Sequence, residues 1–151
     1  MAARCRTGLV TSWSFFPVSS APAPLDLVWC RFPLNEDPNK PGPKNRPGLV
    51  RSLIFNKGQT RALLDVTYGT TKLRHNENPF DLIVSNLASI DACGLPAATR
   101  FALDRSIILP WCGEFFEARE GYNSPRIGSL DQQSRMQLEA IKVARRIHKP
   151  E

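Results

Sequence analysis

Residues 25–32, LDLVWCRF, alternate in a way that predicts a strand. Leu27, Trp29 and Arg31 fall on one side of an extended chain, and Val28, Cys30 and Phe32 on the other. The stretch PLNEDPNKPGPKNRP follows, and its prolines predict a long loop outside any sheet, because proline has no ladder donor. GLVRSLIF (48–55) and TRALLDVTYG (60–69) read as two strands joined by a turn at NKG (56–58). A polar loop, TTKLRHNENP, leads to a short strand FDLIVS (80–85). NLASIDACGLP carries no clear period, and TRFALDRSIILPW (99–111) reads as one or two strands ending at Pro110. Turn residues then dominate GYNSPRIGS (121–129).

The last segment changes period. Ser129 with Gln132 fits a capping box, and Met136, Ala140, Val143, Ala144 and Ile147 recur at helical spacing. This predicts a helix over 130–148 with those residues inward, while Arg135, Lys142, Arg145 and Arg146 lie mostly off that face and Pro150 ends it. Short antiparallel strands followed by one helix predict a mainly β fold, a small barrel that closes to remove exposed edges.

The length of 151 residues suits one domain. The first 24 residues read as an irregular extension, and residues 25–151 as the barrel domain with its helix. The opening stretch has early arginines and a modest apolar run, but Thr11, Ser12 and Ser14 interrupt it, unlike a secretion signal. No run approaches the length of a membrane helix, so no membrane role is expected. Cys5, Cys30, Cys93 and Cys112 are scattered, with no CxxC pair and no histidine at ligand spacing. That argues against zinc and fits a reducing, cytoplasmic setting, with neither metal nor cofactor expected.

A formal charge of +6 favours anionic partners, nucleic acid or acidic protein among them. The segment KPGPKNRPGLV (40–50) sharpens this, because three prolines and two glycines surround three cations at the mouth of a strand. Pro47 restricts the backbone of Arg46, so the loop holds that cation in place for an anion at reduced entropic cost. A plain surface arginine is the alternative. His75 is either a general acid or an exposed loop residue.

DLVWCRFP, the proline-rich loop and RPGLV, in that order, resemble the opening of the PemK/MazF toxins. VTYGTTK resembles the segment after that family's third strand, and LPAATRFALDRSIILPW resembles its ATRFDLDR-type strand. The likeness covers residues 25–147. It implies an SH3-like antiparallel barrel with a C-terminal helix, of the type shared by CcdB and PemK, paired as a homodimer. It also implies a metal-independent endoribonuclease that cuts single-stranded RNA through its own 2′-hydroxyl, and an acidic antitoxin protein as partner.

The resemblance carries Arg46, Thr67 and Arg100 over as catalytic residues. Lys44, Tyr68, Thr70 and Lys72 are the expected substrate-binding residues, and alignment leaves Thr67 and Thr70 as competing choices for one hydroxyl. Either may equally be a strand-end hydroxyl serving the backbone. Three positions depart from the pattern: Leu25 replaces a glycine, Tyr68 a serine and Ala102 an acid. Asp104 shares a strand face with Ala102 and either substitutes for that acid or pairs with Arg105. Trp111, Phe115 and Phe116 either stack bases or pack a core or dimer contact. A barrel that kept the fold, lost the chemistry and still binds nucleic acid or an acidic protein is the alternative function. A gyrase poison of the CcdB class shares the barrel but works through a hydrophobic end, unlike RRIHKPE here.

Overall fold

The computed structural model describes residues 13–73 and 78–148. Six strands and two helices follow in order: β1 (Asp26–Cys30), β2 (Arg46–Phe55), β3 (Ala62–Thr70), β4 (Leu82–Val84), α1 (Leu87–Cys93), β5 (Thr99–Pro110), β6 (Arg126–Ser129) and α2 (Gln132–His148). All described pairings are antiparallel, in the spatial order β4-β5-β3-β2-β1-β6. The chain is therefore mainly β with a C-terminal helix, as its pattern predicts, but the sheet curls into a half-barrel whose expected closure is not made by strand pairing among the described residues.

Strand alternation builds a core on each face of the sheet. Val28, Cys30, Val50, Leu64 and Val66 pack on one face with Trp111, Phe115 and Phe116. Leu27, Leu49, Leu82 and Phe101 pack on the other, beneath Cys93 of α1 and Leu138 of α2. Among the described residues β4 and β6 are the sheet's edges and do not pair with each other. Helices cover the seam instead, α1 packing against β6 and α2 against β4. Glycines make the first contact possible, since a Cβ on Gly128 would stand 1.9 Å from the Cys93 carbonyl oxygen.

Two elements differ from expectation. The predicted turn region contains β6, whose Gly128 serves this close approach. NLASIDACGLP contains α1, capped by Asn86, whose Oδ1 accepts the Ser89 N–H, and closed by Gly94 at φ +79°. Pro47 also lies inside central strand β2, not in the loop. Its partner Trp29 bonds outward, its N–H donating to Pro125 O and its carbonyl accepting from Glu117 N–H. No group on β1 therefore waits for the donor that proline lacks.

Helix α2 is turned from the predicted stripe. Ser134 and Leu138 are buried, Ile141 packs beside them, and Met136 and Val143 are 63% and 45% exposed. Ala140 is exposed and Ala144 half-buried, while the Ile147 side chain lies outside the described set. The cap is Asp131, whose Oδ1 accepts the Ser134 N–H at 3.1 Å. Ser129 instead accepts a bond from Arg135.

Residues 13–24 are irregular but pack onto the barrel. Phe15 bridges Cys112, and the Trp13 and Phe16 rings meet Phe115 and Trp111 at 5.0 and 4.8 Å. The backbone N–H and hydroxyl of Ser14 both donate to the Glu114 carboxylate.

Candidate nucleic-acid interface

The proline-rich loop is tied back to the end of β1. Gly42 N–H donates to the Arg31 carbonyl, and a Cβ on Gly42 would meet the Phe32 carbonyl oxygen at 2.0 Å. Glu117 accepts from both Arg31 and Asn45, and hydrogen bonding from Asn45, then Arg31, holds its carboxyl below the usual range. Asn45 immediately precedes Arg46, so this contact fixes where β2 begins.

From there the strands bring Arg46 to Tyr68. Gly48 stands opposite Tyr68 across the β2–β3 ladder, and Arg46 lies two residues along on the same face. Its guanidinium carbon is 5.8 Å from the centre of the Tyr68 ring. Phe32 packs edge-on against the same ring at 5.3 Å. A cleft of about 230 Å³ opens here, lined by Phe32, Pro33, Asn35, Tyr68, Arg105, Ser106 and Ile107, with no carboxylate among them.

Arg105 reaches this place through a bulge. Gly69 pairs with Phe101 and Thr67 with Ser106, so four residues of β5, Ala102 to Arg105, face the single residue Tyr68. Asp104 within the bulge is held on both oxygens, by Arg145 of α2 and by Asn78. Its neighbour Arg105 turns to the cleft. The Arg105 guanidinium carbon lies 4.0 Å from the Tyr68 ring centre. One permanent cation, Arg105, and the Tyr68 ring line this carboxylate-free cleft, with Arg46 beside the same ring, an arrangement suited to phosphate and base.

The other expected residues do not join them. Thr67 is fully buried, and strand alternation sets it on the opposite face from Tyr68. Its hydroxyl bonds with Ser106 at 2.7 Å and accepts from Arg51 at 3.2 Å. Arg100 donates to the buried carboxylate of Asp81 at 3.0 Å and to the Lys72 carbonyl at 3.3 Å. These contacts give Thr67 and Arg100 structural roles. Thr70 is 3% exposed, and its hydroxyl oxygen accepts the Lys72 N–H. Carrying the β2–β3 register on by two residues places Thr70 across from Arg46, so of the two competing threonines it is the nearer in register. Lys44 and Lys72 are exposed cations on the flanking loops. His75 lies outside the described residues. Ala102 is buried, and Trp111, Phe115 and Phe116 belong to the core rather than to the cleft.

Sequence reasoning passed over Arg105, treating it only as a partner for Asp104. Asn35 and Ser106 were also missed, Asn35 reaching the cleft from the loop after β1 and Ser106 from β5 at the end of the bulge, which has no short-range signature. Among the described residues no three histidine, cysteine or acidic side chains gather into a metal-holding group, and no helix is long and apolar enough to cross a membrane. The chain matches no known protein-family model, and no curated protein matches it either.

Proposed function

We propose that this chain is a PemK/MazF-like toxin, a metal-independent endoribonuclease that cuts single-stranded RNA in the Arg46–Tyr68 cleft. The observation that carries the reading is the Arg46 guanidinium beside Tyr68, a ring that lines a cleft with no carboxylate in its wall. Among the described residues Arg46 has no ion-pair partner, so its charge is available to a phosphodiester. In the reaction, the RNA 2′-oxygen bonds to phosphorus and the bond to the 5′-oxygen breaks. Arg46 stabilises the charge on the non-bridging oxygens. The Tyr68 phenol gives a proton to the departing 5′-oxygen and regains one from water, while the 2′-hydroxyl proton leaves to water. The products are a 2′,3′-cyclic phosphate and a 5′-hydroxyl.

Leu25 supports the family likeness from a different direction. Its φ is +74°, a backbone that favours glycine, at the position where the PemK/MazF pattern has glycine. The backbone form remains although the residue has changed. A homodimer in the cytoplasm, restrained by an acidic antitoxin protein lying in the basic cleft, completes this reading.

The test is incubation of purified protein with a defined single-stranded RNA, followed by analysis of product ends. Cyclic phosphate termini, reduced about a hundredfold or more in rate by Arg46→Ala, are expected. A second reading, a barrel that binds nucleic acid or an acidic protein without cutting, draws on two observations. Thr67 and Arg100 are committed to internal bonds, and Ala102 stands where the family has an acid. RNA bound but left intact selects that second reading, whereas RNA neither bound nor cut overturns both nucleic-acid readings.

A further inference from the structure

We propose that Arg105 is a stacking platform for one unpaired nucleobase, and that it does not clamp phosphate. This inference rests on the RNA-binding reading of the cleft. At 4.0 Å from the ring centre the Arg105 guanidinium lies against Tyr68, much closer than Arg46 at 5.8 Å. Arg105 is exposed, so the guanidinium face turned from the ring is open to the cleft. Its neighbour Asp104 accepts from Arg145 and Asn78.

A guanidinium seated over a phenol ring offers its own planar surface to a further ring. Bases splayed out of a single strand stack on such planes, whereas a paired base inside a duplex has both faces covered. Phe32 and Pro33 supply an apolar wall beside this platform, and Asn35 and Ser106 supply polar groups at its rim. Arg46, two residues before Gly48 on β2, takes the adjoining phosphate. The cleft then holds one nucleotide unit, its backbone on Arg46 and its base on the Tyr68–Arg105 stack.

The two roles predict different responses to salt and to charge-preserving substitution. Binding of a single-stranded 2′-O-methyl RNA, which cannot undergo internal attack, is followed by fluorescence anisotropy between about 50 and 200 mM salt. Arg46→Ala is expected to flatten the log–log salt dependence by about 0.7, the loss of one phosphate contact on a single strand. Arg105→Ala is expected to weaken binding about tenfold with that slope unchanged. Arg105→Lys, which keeps the charge but not the plane, should weaken binding equally. An RNA carrying one abasic position in the bound register should lose about tenfold against wild type and nothing further against Arg105→Lys. Urea midpoints equal to wild type verify that all three variants are folded.

If Arg105→Lys binds like wild type, or Arg105→Ala flattens the salt slope, Arg105 is a charge contact and the platform is wrong. Wild-type protein that binds no RNA at any salt removes the underlying reading, and this inference with it.

Discussion

Replacing Arg100 by alanine leaves the Asp81 carboxylate, only 4% exposed, without its cation. A buried charge stripped of its partner costs more than the pair contributes, so Arg100→Ala should lower unfolding free energy by about 3 kcal/mol in a urea titration. Arg46→Ala should leave the unfolding free energy within about 0.5 kcal/mol of wild type, because Arg46 has no described carboxylate partner. The pair of measurements separates an arginine that holds the fold from one offered to a ligand. Two residues also sit in left-handed backbone without being glycine, Leu25 at φ +74° and Gln59 at φ +56°. Gln59 is exposed in the β2–β3 turn, so Gln59→Gly should raise the unfolding free energy by about 1 kcal/mol. Leu25 packs on the core beneath the helices, and Leu25→Gly should come out near zero because lost packing offsets relieved strain. A large loss in Leu25→Gly would show that the strain is already relaxed.

At the scale of elements, Asp131 joins the two helices. It accepts from Ser134 at the head of α2 and from Ser89 of α1, and also meets Cys93. Burial pushes its carboxyl upward, but the bonds from Ser134 and Ser89 outweigh this and hold it below the ordinary aspartate range. The unfolded chain therefore binds this proton more readily than the folded one. Its stabilising effect is complete above the unfolded value near pH 4 and fades as pH falls through the lower folded value. Asp131→Ala should cost about 1 kcal/mol at pH 7, and the difference from wild type should shrink in urea titrations below pH 4. A difference unchanged by acid would mean that the carboxylate charge contributes nothing.

The same helix shows where sequence reading succeeds and where it stops. Strands β1, β2 and β3 were legible as short apolar runs bounded by turn or proline residues, as expected where residues are buried on both faces. Helix α2 was legible in place but not in rotation, since two apolar stripes compete and only packing chooses Leu138 and Ile141 over Met136 and Val143. Asn86 and Gly94 did carry the capping signals of α1, yet seven residues give too short a period to stand out. For the candidate site, the RPG segment pointed to Arg46. Arg105 was not legible, because its position follows from a bulge, and a bulge is set by which residues the partner strand and α2 hold elsewhere.

Across the described residues, the two faces of the sheet bury the thiols of Cys30, Cys93 and Cys112. Burial pushes Cys30 well above its ordinary value, with added repulsion from Cys112, and pushes Cys112 up to about 12. At neutral pH neither is a thiolate, so a maleimide should label Cys30 and Cys112 only as fast as the chain unfolds. Mass mapping of fast-labelled sites that found either cysteine would contradict the packing described. The strap of residues 13–24 belongs to this seal, with Trp13 and Phe16 lying over Phe115 and Trp111.

The unpaired seam between β4 and β6 has a mechanical corollary. A closed cylinder can widen only by tearing a ladder, whereas this one can gape by letting its helical latch slide, with every strand pair intact. Deuterium should therefore enter the β4 and β6 amides first and those of β2 and β3 last, and tethering α1 to α2 should slow the first group alone.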